Sequence, residues 1–374
     1  MAIRILHVVT YRGRGGLETM LMNYYRHIDR DKVQFDFVCN KLKPGAYDKE
    51  ATDMGARIFH SPGLHPFHYL QYIRFFKKPV KQYPEYHVLE VHNGALGLYA
   101  LNSAKCAGMP VRIYHAHGQG LNLDYKIALK WVCKKMLRFN MTHHFTCGLK
   151  AGEYYFGKKV IDSGDFVLVR NAIDVDRFVF NQEVRERLRD KNGLVGKHVI
   201  GHVGRFMHQK NHAFLIEVFA QIVKRDENAV LVLLGDGELQ QKISDRAKVL
   251  GVFDKVKFMG NVANANEWYQ AFDLFILPSH WEGLPVVGVE AQAAGLSCLF
   301  SSSITQEIGL TDNAVFLDLR SGEEAWAEKA VSLLSVQKDR KNVRDAIIRK
   351  GYDIKTEARK LEKLYLEIYN NTLK

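Results

Sequence analysis

The sequence predicts an α/β protein with two parallel-sheet domains, and three observations carry that expectation. Short apolar runs, such as 3–9, 33–39, 229–234 and 274–277, alternate with longer stretches of helical period, the pattern of a doubly wound sheet. Glycines stand where several of these runs end, at Gly15, Gly16, Gly235, Gly237 and Gly260, as strand-to-helix turns beside a phosphate require. The length of 374 residues supports two domains, each large enough for its own core.

Composition narrows the classes. A hydrophobic content of 47% with 25% charged residues suits a soluble globular chain. No stretch reaches the roughly 18 apolar residues of a membrane span, and the sequence opens on a strand instead of a signal peptide, so a cytoplasmic location is expected. Cys39, Cys106, Cys133, Cys147 and Cys298 are odd in number and form no C-x-x-C, which points away from a disulfide framework or a zinc site. Through Arg170 there are 25 Lys/Arg against 13 Asp/Glu; from Asn171 onward there are 28 against 28. All the excess positive charge lies in the first half, which suggests that this half meets an anionic partner.

Ile3 to Val9 reads as a buried strand, 12–16 as a glycine loop, and Leu17 to Ile28 as a helix with apolar residues at Leu17, Leu21, Tyr24 and Ile28. Such a turn lets backbone approach a phosphate at a helix N-terminus. The dinucleotide fingerprint is a poor fit, because Glu18 stands where a third glycine or alanine is needed. This argues against an NAD enzyme. A plain helix entry, with Glu18 complementing the dipole, explains the same residues.

Val33 to Cys39, Tyr86 to Val91 and Val111 to His115 follow as strands, the second running into His92-Asn93-Gly94 and a helix through Ala107. The third ends in His115-Ala116-His117-Gly118, which puts His117 at the carboxyl end of a parallel strand, where such sheets bind ligands. His115 and His117 could be half of a metal site, but no third ligand stands at a useful spacing. A loop histidine bonded to backbone is the other reading.

Tyr125 to Phe139 has helical period, with Lys126, Lys130, Lys134 and Arg138 on an i, i+4 stripe, Ile127 and Trp131 beside it, and Ala128, Val132, Met136 and Phe139 facing elsewhere. An aromatic among lysines suits an anionic headgroup surface. A solvated helix packed on its own sheet gives the same pattern. Phe166 to Arg170 is expected as the last strand of the first domain, and Asn171 to Asp174 as the crossing.

Val199 to Gly204 reads as a strand delivering Arg205, with Lys210 and Asn211 in the same loop; a guanidinium fork and an ammonium suit a diphosphate. Ala229 to Leu234 and Val256 to Gly260 are the next strands, the second ending at Asn261; a short helix over 267–272 precedes the strand Leu274 to Leu277. The run Pro278 to Ala291 follows. Glu282 falls in its loop and Glu290 on a helix expected from about Leu284 to Gly295, because Pro285 suits a first helical turn. Two carboxylates can then converge on hydroxyls, while the N–H groups of Gly283 to Val287 offer an anion site. Ser297 to Phe300 is the following strand, and Tyr352 to Tyr369 is helical in pattern.

Three of these segments resemble, in the same order, motifs of the retaining family 4 glycosyltransferases of the GT-B fold. They are Gly15-Gly16-x-Glu18, Gly204-Arg205 with Gln209-Lys210-Asn211, and Glu282-x7-Glu290 with its Gly-Leu-Pro approach and the helix Val289 to Leu296. The likeness runs from Ile3 to about Phe316 and implies two Rossmann-like domains facing a central cleft that hinge motion can close. Residues 1–172 would be the acceptor side, with a C-terminal helix at about 352–374 crossing back to it, and 173–351 the nucleotide-sugar side.

The implied reaction moves a sugar from a nucleoside diphosphate, a UDP-sugar in the first place and a GDP-sugar in the second, to an acceptor hydroxyl with retention. By the same resemblance Arg205, Lys210 and the N–H groups near Gly283, Leu284 and Pro285 would stabilise the leaving diphosphate, so no metal or other cofactor is expected. Glu290 would bind the ribose, Glu282 the transferred sugar, Gly15 and Gly16 would form the donor-side loop, Gly260 and Asn261 would pack on the base, and His117 would sit near the reacting carbon. The linker of relatives reads Asn-Gly-Ile-Asp; here Ala172 replaces the glycine, and Asp174-x-Asp176 belongs to that linker and not to a metal pair.

The likeness of Glu290 to Leu296 to exopolysaccharide and capsule enzymes, with the basic first half, implies a lipid-linked saccharide acceptor and a peripheral position on the anionic inner face of the cytoplasmic membrane. A GT-B epimerase or sugar-nucleotide hydrolase would share the donor site. A nucleic-acid binder would account for the charge, but no nucleic-acid motif accompanies it, and no such partner is expected.

Overall fold

The computed structural model describes residues 2–10, 15–41, 44–63, 68–118, 127–336, 339–340 and 343–372. The chain divides into two compact units, Met1–Ala172 with Ile354–Lys374, and Ile173–Asp353. Each is the doubly wound α/β sheet that the alternating pattern predicts.

In the first unit seven strands, β1 (Ile3–Val9), β2 (Val33–Cys39), β3 (Ile58–His60), β4 (Val88–Val91), β5 (Val111–Ala116), β6 (His143–Thr146) and β7 (Val167–Leu168), lie in the order β3-β2-β1-β4-β5-β6-β7. All their pairings are parallel. The order reverses between β1 and β4, so the crevice for ligands opens beyond the carboxyl ends of those strands. Register sets His7 opposite Glu90, Glu90 opposite Ile113, and His115 opposite Phe145. Side chains two apart share a face of a strand, so His7, Glu90 and His115 project from the same side of the sheet.

That side is closed by the helix Ile354–Thr372, whose buried Ile354, Ala358, Leu361, Tyr365 and Ile368 join Ile5, Phe35, Phe37, Ile113 and Phe145 in one core. Their spacing of four and three residues keeps them on a single stripe. The tail thus supplies part of the first unit's core after the whole second unit has intervened in sequence.

The second sheet has β8 (His198–Val203), β9 (Ala229–Leu234), β10 (Val256–Gly260), β11 (Leu274–Leu277), β12 (Ser297–Ser301) and β13 (Ala314–Leu317), in the order β10-β9-β8-β11-β12-β13 with parallel pairings. Its reversal lies between β8 and β11. The core joins Ile200, Leu231, Leu233, Leu274, Ile276 and Leu299 to Leu215, Phe219 and the fully buried Trp326.

The helix expected from Leu284 instead spans Val286–Ala293, with Pro285 as its N-cap at φ −71° and ψ 114°. A residue before proline is pushed out of the α region, which accounts for the helix not beginning at Leu284. The far end closes on Gly295 at φ 72°, with Gly295 N–H donating to Gln292 O (2.9 Å) and Leu296 N–H to Ala291 O (3.2 Å), the paired bonds of a left-handed helix stop. Ala172 is no strain in the linker, since Asn211 is the one non-glycine residue with positive φ among the described residues.

Candidate functional site

In the second unit the loops after β8 and β11 meet at the switch point. Lys210 Nζ donates to Glu282 Oε1 at 2.7 Å, and Gln209 Nε2 donates to Glu282 Oε2 at 3.1 Å and to Trp281 O at 2.9 Å. Glu282 is buried, so its charge is held by an ammonium and an amide instead of water. The pairing places a residue expected to meet a sugar directly against a residue expected to meet a phosphate. Arg205, in contrast, is exposed and makes no ion pair among the described residues.

The geometry of the β8 loop depends on neighbouring glycines. Gly235, at φ 132°, has no room for a side chain: a Cβ there would lie 2.2 Å from Gly204 O. At Gly237 it would lie 2.6 Å from Phe206 O. Phe206 N–H donates to Asp236 O (2.8 Å) and Leu239 N–H to Phe206 O (3.1 Å), so the β9 turn clamps the residue beside Arg205. Gly235 N–H also donates to Gly260 O (2.8 Å), and Asn261 Nδ2 to Asp236 Oδ2 (2.5 Å), which ties the β10 loop to the same cluster.

Glu290 projects from the helix Val286–Ala293 and accepts a hydrogen bond from the Tyr269 hydroxyl at 2.7 Å. Burial raises its pKa to about 6, against the lowering effect of that hydroxyl and of the Arg177 charge. Gln292 on the same helix is structural: its Nε2 donates to Ile308 O (2.6 Å) and Gly288 O (2.9 Å), while its Oε1 accepts from Leu310 N–H (2.8 Å) and Thr311 N–H (3.0 Å). Gly288 is required by packing, since a Cβ would come within 2.9 Å of Ile308 Cγ1. Asp176 of the rejected D-x-D pair is bonded to Arg344 at 2.8 Å.

In the first unit Gly15 is the N-cap of the helix Gly16–His27, and a Cβ on it would lie 2.4 Å from Glu18 Oε2. His117 is not an isolated loop histidine bonded only to backbone. His92 Nδ1 lies 2.8 Å from His117 Nε2, His7 Nδ1 lies 3.1 Å from His92 Nε2, and His115 Nδ1 bonds Glu90 Oε1 at 2.7 Å. The Tyr365 hydroxyl donates to the other oxygen of Glu90. Burial holds His92 and His117 well below the ordinary imidazole pKa and His115 at about 3, so all three rings are neutral. The expectation that H-x-H lacks a third ligand is therefore corrected: His92 arrives from the adjacent strand, a neighbour that spacing along the sequence cannot reveal.

The basic helix differs from its expected orientation. It spans Ile127–Met136 with a short continuation Leu137–Phe139, and Lys126 lies outside the described residues. Cys133 and Leu137 face the core, while Ala128, Trp131, Val132, Met136 and Phe139 are exposed together with Lys135 and Arg138. Lys130 and Lys134 are half-buried, with Lys134 Nζ 3.3 Å from the centre of the Tyr154 ring. Apolar residues occupy nearly every face of this helix, so its period alone does not choose the buried one.

Two family models cover most of the chain: "Glycosyltransferase Family 4" matches residues 14–177 and "Glycosyl transferases group 1" matches 184–350. The EpsF glycosyltransferase of Bacillus subtilis is 33% identical over 98% of this chain and 96% of its own length. The chain belongs to glycosyltransferase family 4. An Escherichia coli relative of this family 4 transferase, named UDP-Gal:alpha-D-GlcNAc-diphosphoundecaprenol alpha-1,3-galactosyltransferase, is 23% identical over 99% of this chain and 98% of its own. The crystal structure of Anabaena HepE with UDP and glucose superposes with a TM-score of 0.80 at 17% identity, over 97% of this chain and 99% of that one, and shares the GT-B fold.

Sequence reasoning about this transferase missed Tyr269, Gln209 and the partners of His117. Gln209 lay inside the matched phosphate segment and could have been found as a second donor to the loop carboxylate. Tyr269, 21 residues before Glu290, carries no local signal.

Proposed function

We propose that the chain is a retaining glycosyltransferase that moves a sugar from a nucleoside-diphosphate donor to a hydroxyl of a lipid-linked saccharide, in the synthesis of exopolysaccharide, capsule or O-antigen. The observation that carries the reading is the Lys210–Glu282–Gln209 cluster at the switch point of the second sheet, beside exposed Arg205 and a helix N-terminus at Val286. Donor binding exchanges partners there. The diphosphate takes Lys210 and Arg205, and sugar hydroxyls take Glu282. Cationic side chains and helix N–H groups then stabilise charge developing on the leaving group, which is the chief demand of this chemistry and needs no metal.

Glu290 holds the ribose hydroxyls, Gly260 and Asn261 lie at the base, Gly15 and Gly16 form the donor-side turn of the first unit, and the resemblance assigns His117 to the transferred sugar. The bond from the anomeric carbon to the diphosphate oxygen breaks, the bond to the acceptor oxygen forms on the same face, and the acceptor proton passes to the departing phosphate. UDP is the first nucleotide to test, given the donor in the E. coli relative's name and the UDP in the HepE crystal. The diphosphoundecaprenol in the same name supports a lipid-linked acceptor. The exposed apolar patch of the basic helix supports peripheral attachment to an anionic membrane. No helix is long and apolar enough to cross a membrane, among the described residues.

The test is calorimetric titration of UDP, GDP, ADP and their sugars into wild type and Glu290→Ala, with and without EDTA, followed by incubation with UDP-sugar and a lipid-diphosphate-linked sugar. One nucleotide should bind in EDTA and weaken in Glu290→Ala, and the product should keep the donor's anomeric configuration. Absence of nucleotide binding overturns the donor site; inverted product overturns retention; free or epimerised sugar nucleotide formed equally without acceptor favours the epimerase or hydrolase reading.

A further inference from the structure

The first unit holds a second constellation, at the carboxyl ends of β4 and β5. The ligand atoms of His92, His115 and His117 all lie within 4.8 Å of one another. We propose that these three histidines form a binding site for one divalent transition-metal ion of the zinc class, with a fourth position open to solvent.

One distance, between His92 and His117, is close to what coordination needs, while the His115 and His117 rings, stacked with centroids 4.0 Å apart, have to turn apart to aim at one ion. Zinc–nitrogen bonds of about 2.0–2.1 Å at tetrahedral angles place ligand nitrogens about 3.3 Å apart. His92 Nδ1 and His117 Nε2, now 2.8 Å apart, have only to open slightly around an ion. Moreover, His115 presents a lone pair with nothing on it. The ring is 1% exposed, and its Nε2 has no hydrogen-bond partner among the described residues. Because Nδ1 bonds the Glu90 carboxylate, the ring proton belongs on Nδ1, leaving Nε2 as a bare acceptor.

The supporting groups are those that metal-bound imidazoles use. A carboxylate on the far nitrogen fixes the ring and raises its basicity, and Glu90 does this for His115 while Tyr365 anchors Glu90. His7 bonds the far nitrogen of His92 at 3.1 Å. Three imidazoles with no carboxylate ligand suit zinc, cobalt, nickel or copper and not magnesium or calcium. His7, Glu90 and His92 form an overlapping group, but all three are buried and Glu90 is already bonded twice. His117 is partly exposed, which gives the chosen set an entry for an ion.

An ion held there occupies His117, so metal binding and contact of this ring with a sugar exclude one another. The binding itself stands apart from the transferase reading and is measured without nucleotide. The full chain, stripped with a chelator, is titrated with Co2+ and then Zn2+, reading visible ligand-field absorption and bound metal per chain. One Co2+ should bind in a low-symmetry four-coordinate site and be displaced by one Zn2+. His117→Gln, at the solvent edge and least disruptive to folding, should abolish the band, and Glu90→Gln should weaken binding roughly 10–100-fold. Circular dichroism and melting confirm that each variant is folded. Failure of the folded wild type to take up one equivalent, or uptake unchanged in both His117→Gln and His92→Gln, overturns the proposal.

Discussion

Glu290 illustrates how burial tunes one group for two opposed effects. Folding raises its pKa from an ordinary 4.5 to about 6, so its contribution to stability is fully present below pH 4.5 and is lost as the pH rises through 6. The ribose binding proposed for this carboxylate runs the other way, since it would need the ionised form. UDP affinity, measured by calorimetry, should fall as the pH drops through about 6 and be flat across that range in Glu290→Gln. Tyr269→Phe removes a hydrogen bond that lowers the pKa, so its midpoint should move to higher pH; an unchanged midpoint sinks the role given to Tyr269. Lys210 tests the other carboxylate. Lys210→Met leaves buried Glu282 with Gln209 alone, a loss of roughly 3–5 kcal/mol for a broken buried pair. Denaturant unfolding should show the second unit destabilised, with part of the loss restored in Lys210→Met/Glu282→Gln. At this scale the sequence was informative about chemical type but not about partners. Glu282, Lys210 and His117 were legible as candidates from motif and position, whereas the Lys210–Glu282 bond joins residues 72 apart and His92 reaches His117 through strand register, neither of which any local pattern encodes.

Among the elements, the turns after β8, β9 and β10 act as one block because glycines let their backbones touch. Gly237→Ala puts a Cβ against Phe206 O, and such overpacking costs about 1–3 kcal/mol. Its thermal midpoint should fall, and UDP affinity should fall with it as Arg205 is displaced; a loss of stability with unchanged affinity would show that the clamp does not govern the phosphate loop. The basic helix makes a different point. Its exposed Trp131 and Phe139, 54% and 62% accessible, lie beside Lys135 and Arg138, so the proposed membrane contact would combine apolar insertion and charge attraction there. Vesicle co-sedimentation should show binding to anionic lipid that Trp131→Ala/Phe139→Ala reduces about tenfold or more while circular dichroism stays constant. Equal binding by both proteins removes this helix as the contact. β9, apolar throughout, and β1 and β2, apolar at five of seven positions each, were readable to the residue, because burial on both faces leaves no choice of side. The short β3, β6 and β13 were not, with three or four residues each and too little pattern to stand out, whereas the strand expected over 166–170 is present as the two-residue β7.

For the molecule as a whole, the two-sheet architecture was the most legible property, because alternation of strand and helix is repeated many times and errors at single elements do not change it. What remained hidden was how each sheet orders its strands, and with it which loops meet. The dependence of the first unit on the helix Ile354–Thr372 is testable in these terms. Leu361→Ala removes a core side chain, at a cost of about 2–5 kcal/mol, a large share of the 5–15 kcal/mol by which domains are typically stable. Calorimetry should separate two transitions, with the one assigned to the first unit lowered and nucleotide binding by the second unit retained at temperatures below both.

The same helix sets a schedule for the newborn chain. Domains generally fold in order from the amino terminus while synthesis adds roughly 5–20 residues per second. Here the first unit must wait, its core open along one side, until the ribosome has produced the entire Ile173–Asp353 unit and then the closing helix. For that interval a basic, incompletely buried sheet coexists with a finished second unit. Arrested nascent chains ending at Asp353 should therefore yield a protease-resistant second unit and a digestible first one, and a chaperone that holds apolar surface has its natural client in the half that was made first.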